Sequence, residues 1–221
     1  MKKIICVIPA YNEAQKIALV ISKVKPLVSE IIVVDDCSRD QTAQLAQAAG
    51  ALVVSHVINR GQGAALRTGT ALALSRGAEI IIHFDADDQF QASDIPAVLK
   101  PLLANEADAV LGSRFLDKRT KLPKVKRHLI MPLARAINYL FFGIRLSDPQ
   151  SGFRALSRQS AQQLKINNDG MAHCTEILHQ LFANQNRVQE VPITVIYHEY
   201  GQRFSGGIKI IKDLIIQKII N

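Results

Sequence analysis

Asp85, Asp87, Asp88 and Gln89 crowd into five residues, directly after the apolar run that ends at Phe84. Carboxylates this close resist ionising together unless a cation or strong donors sit among them. The stretch DADDQ therefore asks for a positive partner. Asp85 and Asp87 alternate along an extended segment, so their side chains converge only if the strand ends there and the chain turns, which Asp88 and Gln89 suit. Hard oxygen ligands fit Mg2+ or Mn2+, ions that keep some waters and complete their shell from substrate phosphates. A solvated turn with capping aspartates explains the same residues equally well. Two further loops favour the functional reading.

VVDDCSRD places adjacent carboxylates, Asp35 and Asp36, after a second apolar run. Asp36 can accept hydrogen bonds from a nucleobase or ribose; alternatively one of the pair caps a helix starting between Ser38 and Thr42. PAYNE, residues 9–13, brings backbone groups and Glu13 to a third strand end, although Glu13 also reads as an ordinary first-turn helix acid. NRGQGAALRTG opens a helix with Gly61 and Gly63, which is either a phosphate cradle or a device for close packing, the latter slightly favoured. It has neither the lysine of a P-loop nor the spacing of a Rossmann turn. Cys37 reads as a small filler and His83 as a satisfied core residue. His173 and Cys174 look too isolated for a metal pair.

These loops need strands behind them, and the first half of the chain supplies a pattern of short β-rich runs alternating with helical ones. Strands are expected at residues 4–8, 31–34, 52–55, 80–84 and 109–111, with helices at 13–24, 42–49, 63–76 and 93–103, the last capped by Ser93. That alternation predicts βαβ units and a mostly parallel sheet, whose ligand crevice lies beyond the carboxyl ends of its strands. Three acidic or polar loops on one such edge are harder to explain by chance than one. Further on, a helix is expected at 171–184 and a strand at 188–198. The segment 206–221 puts Ile208, Ile211, Ile215 and Ile219 on one helical stripe, suited to core packing or, with three lysines, to a membrane interface.

At 221 residues and 48% apolar the chain fits one domain with a substantial core. Lys and Arg exceed Asp and Glu by 27 to 19, giving a net charge of +8, which points to an anionic partner. The segment 114–128 concentrates that charge in a cationic loop. Three scattered cysteines predict a reducing compartment. No run reaches the roughly 18–20 apolar residues that span a bilayer; residues 129–146 come nearest but contain Pro132, Arg135 and Asn138. The start of the chain reads as a strand, being too short in apolar residues for a signal peptide. A nucleic-acid-binding module would explain the charge, yet the basic residues gather beside an acidic crevice, aromatics are only 5%, and no recognition motif appears.

In their order and spacing, VIPAYNE, VVDDCSRD, NRGQGAA, DADDQF, GSRF, DPQSGFRA and EVPITVIYH resemble the family 2 glycosyltransferases, most closely the dolichyl-phosphate mannose synthase-like branch that transfers sugars to polyprenyl phosphates. The resemblance implies an α/β GT-A fold, a single Rossmann-like, mostly parallel sheet flanked by helices. It divides residues 1–221 into a nucleotide-sugar half, 1–111, and an acceptor half, 112–200, followed by an amphipathic helix, 206–221. It implies inverting hexosyl transfer from a GDP- or UDP-sugar to a polyprenyl phosphate with Mg2+ or Mn2+. Pro9, Ala10, Tyr11, Glu13, Val34, Asp36, Ser38 and Gly63 would serve the nucleotide, and Asp85, Ala86 and Asp87 the donor diphosphate, with Asp85, Asp87 and Gln89 toward the metal. Arg114 and Arg127 would face phosphate, with Ser151, Gly152, His198 and Arg203 completing the substrate site. Cys37 stands where the family usually has glycine, Asp88 where it often has Gly or Leu, and His198 where it has arginine. A peripheral location on the cytoplasmic membrane face follows, with an integral-membrane partner as an open option. The alternative within enzymes is a soluble or glycan hydroxyl acceptor, which needs a carboxylate base, Asp148 or Glu176. A sugar-1-phosphate nucleotidyltransferase would need an Arg-bearing glycine loop that PAYNE is not.

Overall fold

The computed structural model describes residues 2–117, 139 and 146–196. Arg127, His198, Arg203, the helix expected at 206–221, nearly all of 129–146 and all but the first residues of the basic loop lie outside that set. In chain order the elements are β1 (Ile4–Ala10), α1 (Ile17–Val24), β2 (Glu30–Asp35), α2 (Thr42–Ala48), β3 (Leu52–Ser55), α3 (Gln62–Ser75), β4 (Ile80–His83), α4 (Ile95–Leu103), β5 (Ala109–Ser113), β6 (Arg154–Ser157), α5 (Arg158–Gln163), α6 (His173–Ala183) and β7 (Val188–Pro192). The strands form one sheet in the order β3-β2-β1-β4-β6-β5-β7.

β1 pairs in parallel with β2 and β4, and β2 with β3, so all four release their loops on the same edge. β6 runs antiparallel between β4 and β5, with His83 opposite Arg154. Its amino end, carrying Ser151 and Gly152, therefore arrives at the edge where its neighbours end. The sequence reading misses β6, because four residues that include an arginine look like a loop. β7 closes the sheet in parallel with β5.

Helices cover both faces, which is why the strands read as continuous apolar runs and not as alternating ones. Ile8, Val33, Ile82 and Phe153 meet Ile17, Ile21 and Val98 in one layer, whereas Val7, Val34, Ile81 and Leu156 meet Ala65, Leu66, Ile177 and Leu181 in the other. Each fully buried Ile, Leu or Val contributes about 1.5–3 kcal/mol by leaving water. α1 buries Ile17, Val20, Ile21 and Val24, the i, i+3, i+4, i+7 stripe of an amphipathic helix.

Two helix starts differ from expectation. α1 begins at Ile17, not residue 13, because Glu13 forms a turn whose carbonyl accepts from the Lys16 and Ile17 N–H groups at 3.0 and 2.9 Å. α4 begins at Ile95 after a short 3-10 turn, Ala92–Asp94, with Pro96 in its first turn, so Ser93 does not cap it. Asp94 instead accepts the Thr194 N–H at 2.6 Å, tying the segment after β7 to this layer. Among the described residues no helix is long and apolar enough to cross a membrane.

Candidate active site

DADDQ leaves the end of β4 and turns at once. Asp88 adopts φ +58° and pairs with Lys23 of α1 at 2.7 Å, facing away from its neighbours. A left-handed residue at this position accounts for the glycine the resemblance leads one to expect. Asp87 Oδ1 accepts the Gln89 N–H at 3.1 Å, the compact turn that brings Asp85 and Asp87 together. Asp85 is crowded by protein: its Oδ1 accepts from Gln62 Nε2 at 2.8 Å, and a Cβ on Gly152 would stand 2.8 Å from Oδ2. Burial, then the nearby Asp87 charge, pushes the Asp85 carboxyl up to about 7. Burial also raises Asp87, and it raises Glu13 against the opposing pull of Lys16, with Asp87 adding to the rise. Three acids held above their usual range thus gather at one strand edge, where a nearby cation would favour their charged forms.

The side that the resemblance assigns to the nucleotide is built from β1 and β2. Pro9 and Ala10 are buried at the end of β1, where Pro9 is in register with Val34, and Tyr11 emerges 43% exposed. Ser38 accepts the Asn12 N–H at 2.9 Å and so joins the two loops. Cys37 holds φ +64°, which accounts for the family's glycine there, and its thiol meets the Val57 carbonyl at 3.5 Å as a filler. Capping of α2 falls to neither Asp35 nor Asp36, since Asp40 accepts the Thr42 N–H at 3.0 Å. Asp36 is occupied within the protein: Oδ1 takes His56 Nδ1 at 2.7 Å and the Arg60 N–H at 3.0 Å, and Oδ2 takes the Gly61 N–H at 2.6 Å. Asp35 Oδ1 is buried without a hydrogen-bond partner among the described residues.

Three expectations change on this geometry. Val34 is 0% exposed and packs under α3, so its side chain cannot line a nucleotide site. Gly63 donates its N–H to the Asp169 carbonyl at 2.9 Å, and a Cβ there would collide with the Asn168 carbonyl. With the Arg60 and Gly61 N–H groups committed to Asp36 as well, the glycine-rich loop is a packing device and not a phosphate cradle. Among the described residues His83 is only half satisfied, bonding Thr70 through Nε2 at 2.9 Å while Nδ1 has no partner, and burial drives its pKa well down.

Arg114 follows β5 and is clamped by Asp148, which accepts from its Nε at 2.6 Å, its Nη2 at 2.7 Å and its backbone N–H at 3.1 Å. Close to Asp85 lies a buried polar cluster that sequence reasoning missed. Arg154 is 1% exposed and donates to the Ser151 carbonyl at 2.9 Å and to Cys174 at 3.4 Å, and Cys174 in turn contacts His173 Nε2 at 3.4 Å. His173 and Arg154 lower the Cys174 thiol to about 6 despite its burial, so His173 and Cys174 are not isolated. Ser151 Oγ and two nitrogens of Arg154 are buried without a hydrogen-bond partner among the described residues. No signal at 154, 173 or 174 alone reveals a cluster that only strand pairing and α6 assemble.

The pattern that describes glycosyl transferase family 2 matches residues 5–165. The chain belongs to that family. This family 2 glycosyltransferase is 31% identical to the UDP-N-acetylglucosamine–dolichyl-phosphate N-acetylglucosaminyltransferase of Methanococcus voltae, over 99% of this chain and 97% of that one. It is 29% identical to the undecaprenyl-phosphate mannosyltransferase of Micrococcus luteus, covering 93% of this chain and 89% of the relative. Among solved structures, glucosyl-3-phosphoglycerate synthase from Mycobacterium tuberculosis in complex with Mg2+ and UDP superimposes with a TM-score of 0.76 at 25% identity, over 97% of this chain and 78% of that one. The fold is GT-A.

In this glycosyltransferase the donor set fits a divalent cation. Asp85 and Asp87 offer hard carboxylate oxygens, Asp85 raised by burial and the Asp87 charge and Asp87 by burial, and Gln89 sits in the same turn. Among the described residues no three His, Cys, Asp or Glu side chains come together as a group that could hold a metal ion by themselves. Mg2+ and Mn2+ take one or two carboxylates from a protein and fill their remaining positions from phosphates and water.

Proposed function

We propose that this glycosyltransferase moves a hexose from a GDP- or UDP-sugar to a polyprenyl phosphate, with inversion and with the help of Mg2+ or Mn2+. The observation that carries the acceptor class is the state of the two carboxylates a hydroxyl acceptor would call on as base. Asp148 is spent on Arg114, and Glu176 accepts the Asn167 and Asn168 N–H groups at 3.0 and 2.9 Å. A lipid monophosphate is anionic near neutral pH and attacks without a base, so the protein need only position two anions and offset their charge.

Asp85, Asp87 and Gln89 would hold the cation, which supplies charge neutralisation for the departing diphosphate. Tyr11 offers its exposed ring to the nucleoside, with Glu13 and Ser38 shaping the same rim. Asp36 serves by fixing the glycine-rich loop that carries Gln62 to Asp85. Arg114, and Arg127 from the basic segment, meet the reacting phosphates. A net charge of +8 suits work at an anionic membrane surface on the cytoplasmic face, alone or with an integral-membrane partner.

The test is transfer of labelled sugar, from a panel of GDP- and UDP-sugars with Mn2+ or Mg2+, into organic-extractable polyprenyl phosphate. Label should enter the lipid phase only with metal. Transfer to a soluble acceptor in the absence of any lipid phosphate would overturn the acceptor assignment.

A further inference from the structure

Arg114 is held by more than Asp148, because the turn that carries Asp148 is itself pinned from β7. Glu190 accepts the Ser147 backbone N–H through Oε1 and Oε2 at 3.0 and 2.8 Å, and its Oε1 also takes the Ser147 hydroxyl at 2.8 Å and the Asp148 N–H at 3.0 Å. The Ser147 hydroxyl also meets Ser113 Oγ, at the end of β5 and one residue before Arg114. The Asp148 carboxylate, 1% exposed, then grips the Arg114 guanidinium at two nitrogens. A carboxylate at Glu190, an anionic turn and a forked guanidinium thus form one chain of charge-assisted hydrogen bonds.

We infer that Glu190 is a positioning residue for Arg114, acting through the Ser147–Asp148 turn to fix the guanidinium at the edge where the reacting phosphates meet. What Arg114 does there rests on the function proposed above; that Glu190 aims it does not. A carboxylate is required at this point. Three protein donors converge on its two oxygens, whereas a glutamine would offer one oxygen and turn an amide NH2 toward backbone N–H groups. Arginine is long and loses its aim readily, and the planar fork restores it only when its partner is held in place.

The experiment compares Glu190→Gln, Asp148→Asn, Arg114→Ala and the double variant Glu190→Gln/Arg114→Ala in the lipid-phosphate transfer assay, alongside their melting temperatures. Glu190→Gln should lower kcat about tenfold with donor KM within about twofold, the signature of a misplaced transition-state group. Asp148→Asn, which breaks the same chain one step on, should do likewise. The double variant should be no slower than Arg114→Ala, since Glu190 has nothing left to position. Losses that multiply, or full activity in Glu190→Gln, would overturn the inference. A second reading needs no substrate: the Arg114 Nε–H resonance of the wild type should exchange slowly with solvent and exchange faster in Glu190→Gln. An unchanged resonance overturns the positioning role even if transfer is lost. If the wild type transfers no sugar to lipid phosphate, the acceptor assignment falls while the resonance still decides what Glu190 does.

Discussion

The acids of the site are raised by their surroundings, and that has a sign in stability. Asp85 keeps its proton in the folded chain up to about 7, whereas the unfolded chain releases it near 3.8. Between those values the native state binds more protons, so stability falls as pH rises through that window, and Asp87 and Glu13 act in the same direction. Chemical denaturation in the presence of a chelator should show this decline, Asp85→Asn should flatten it, and Mn2+ should restore more stability at the alkaline end. Cys174 opposes the trend above about 6, where its lowered thiol ionises before that of the unfolded chain. Replacing a single acid separates fold from chemistry. Asp87→Ala should cut transfer by at least about 10²-fold, the scale of losing one electrostatic contact in a transition state, while leaving the circular dichroism spectrum unchanged. The types and spacing of Asp85 and Asp87 were legible in the sequence because five residues contain the whole motif. The engagement of Asp36 was not, since its partners His56, Arg60 and Gly61 come from a segment twenty or more positions away.

At the scale of elements, the glycine-rich loop and the segment before α6 lock together. Gly61 holds φ +107°, and a Cβ there would collide with the Asp169 carbonyl. Gly61→Ala therefore meets both a strained backbone and a clash, and should cost about 1–3 kcal/mol in a denaturant titration. It should also raise donor KM, because the displaced loop carries both the donors to Asp36 and the Gln62 amide on Asp85. At the other end of the sheet, the Ser157 side chain caps α5 by accepting the Ser160 N–H at 3.1 Å. Ser157→Ala should lower stability by about 1 kcal/mol and leave transfer untouched, a control that separates stability from site geometry. The capping of α4 misled sequence reasoning for an identifiable reason. Ser93 has the right side chain, but Pro96 and a 3-10 turn move the helix start two residues on.

For the whole molecule, charge and topology make separate contributions. With +8 overall, the protein should co-sediment with vesicles rich in anionic lipid, release as salt is raised, and remain in solution with neutral vesicles. Binding that ignores salt would assign attachment to apolar contacts instead. By itself the sequence determined the alternation of strands and helices, the parallel sheet and the acidic loops at three strand ends, because each is written in a local run of apolar residues and the turn that follows it. Tertiary structure alone decided that β6 enters antiparallel between β4 and β5, bringing Gly152 against Asp85 and Arg154 close to it. It alone decided that Asp148 serves Arg114 and that Glu190, forty-two positions from Asp148, holds the turn between them. Hydrophobic periodicity is a property of neighbours in the chain, whereas a hydrogen-bonded chain of charges depends on which distant segments the sheet sets side by side.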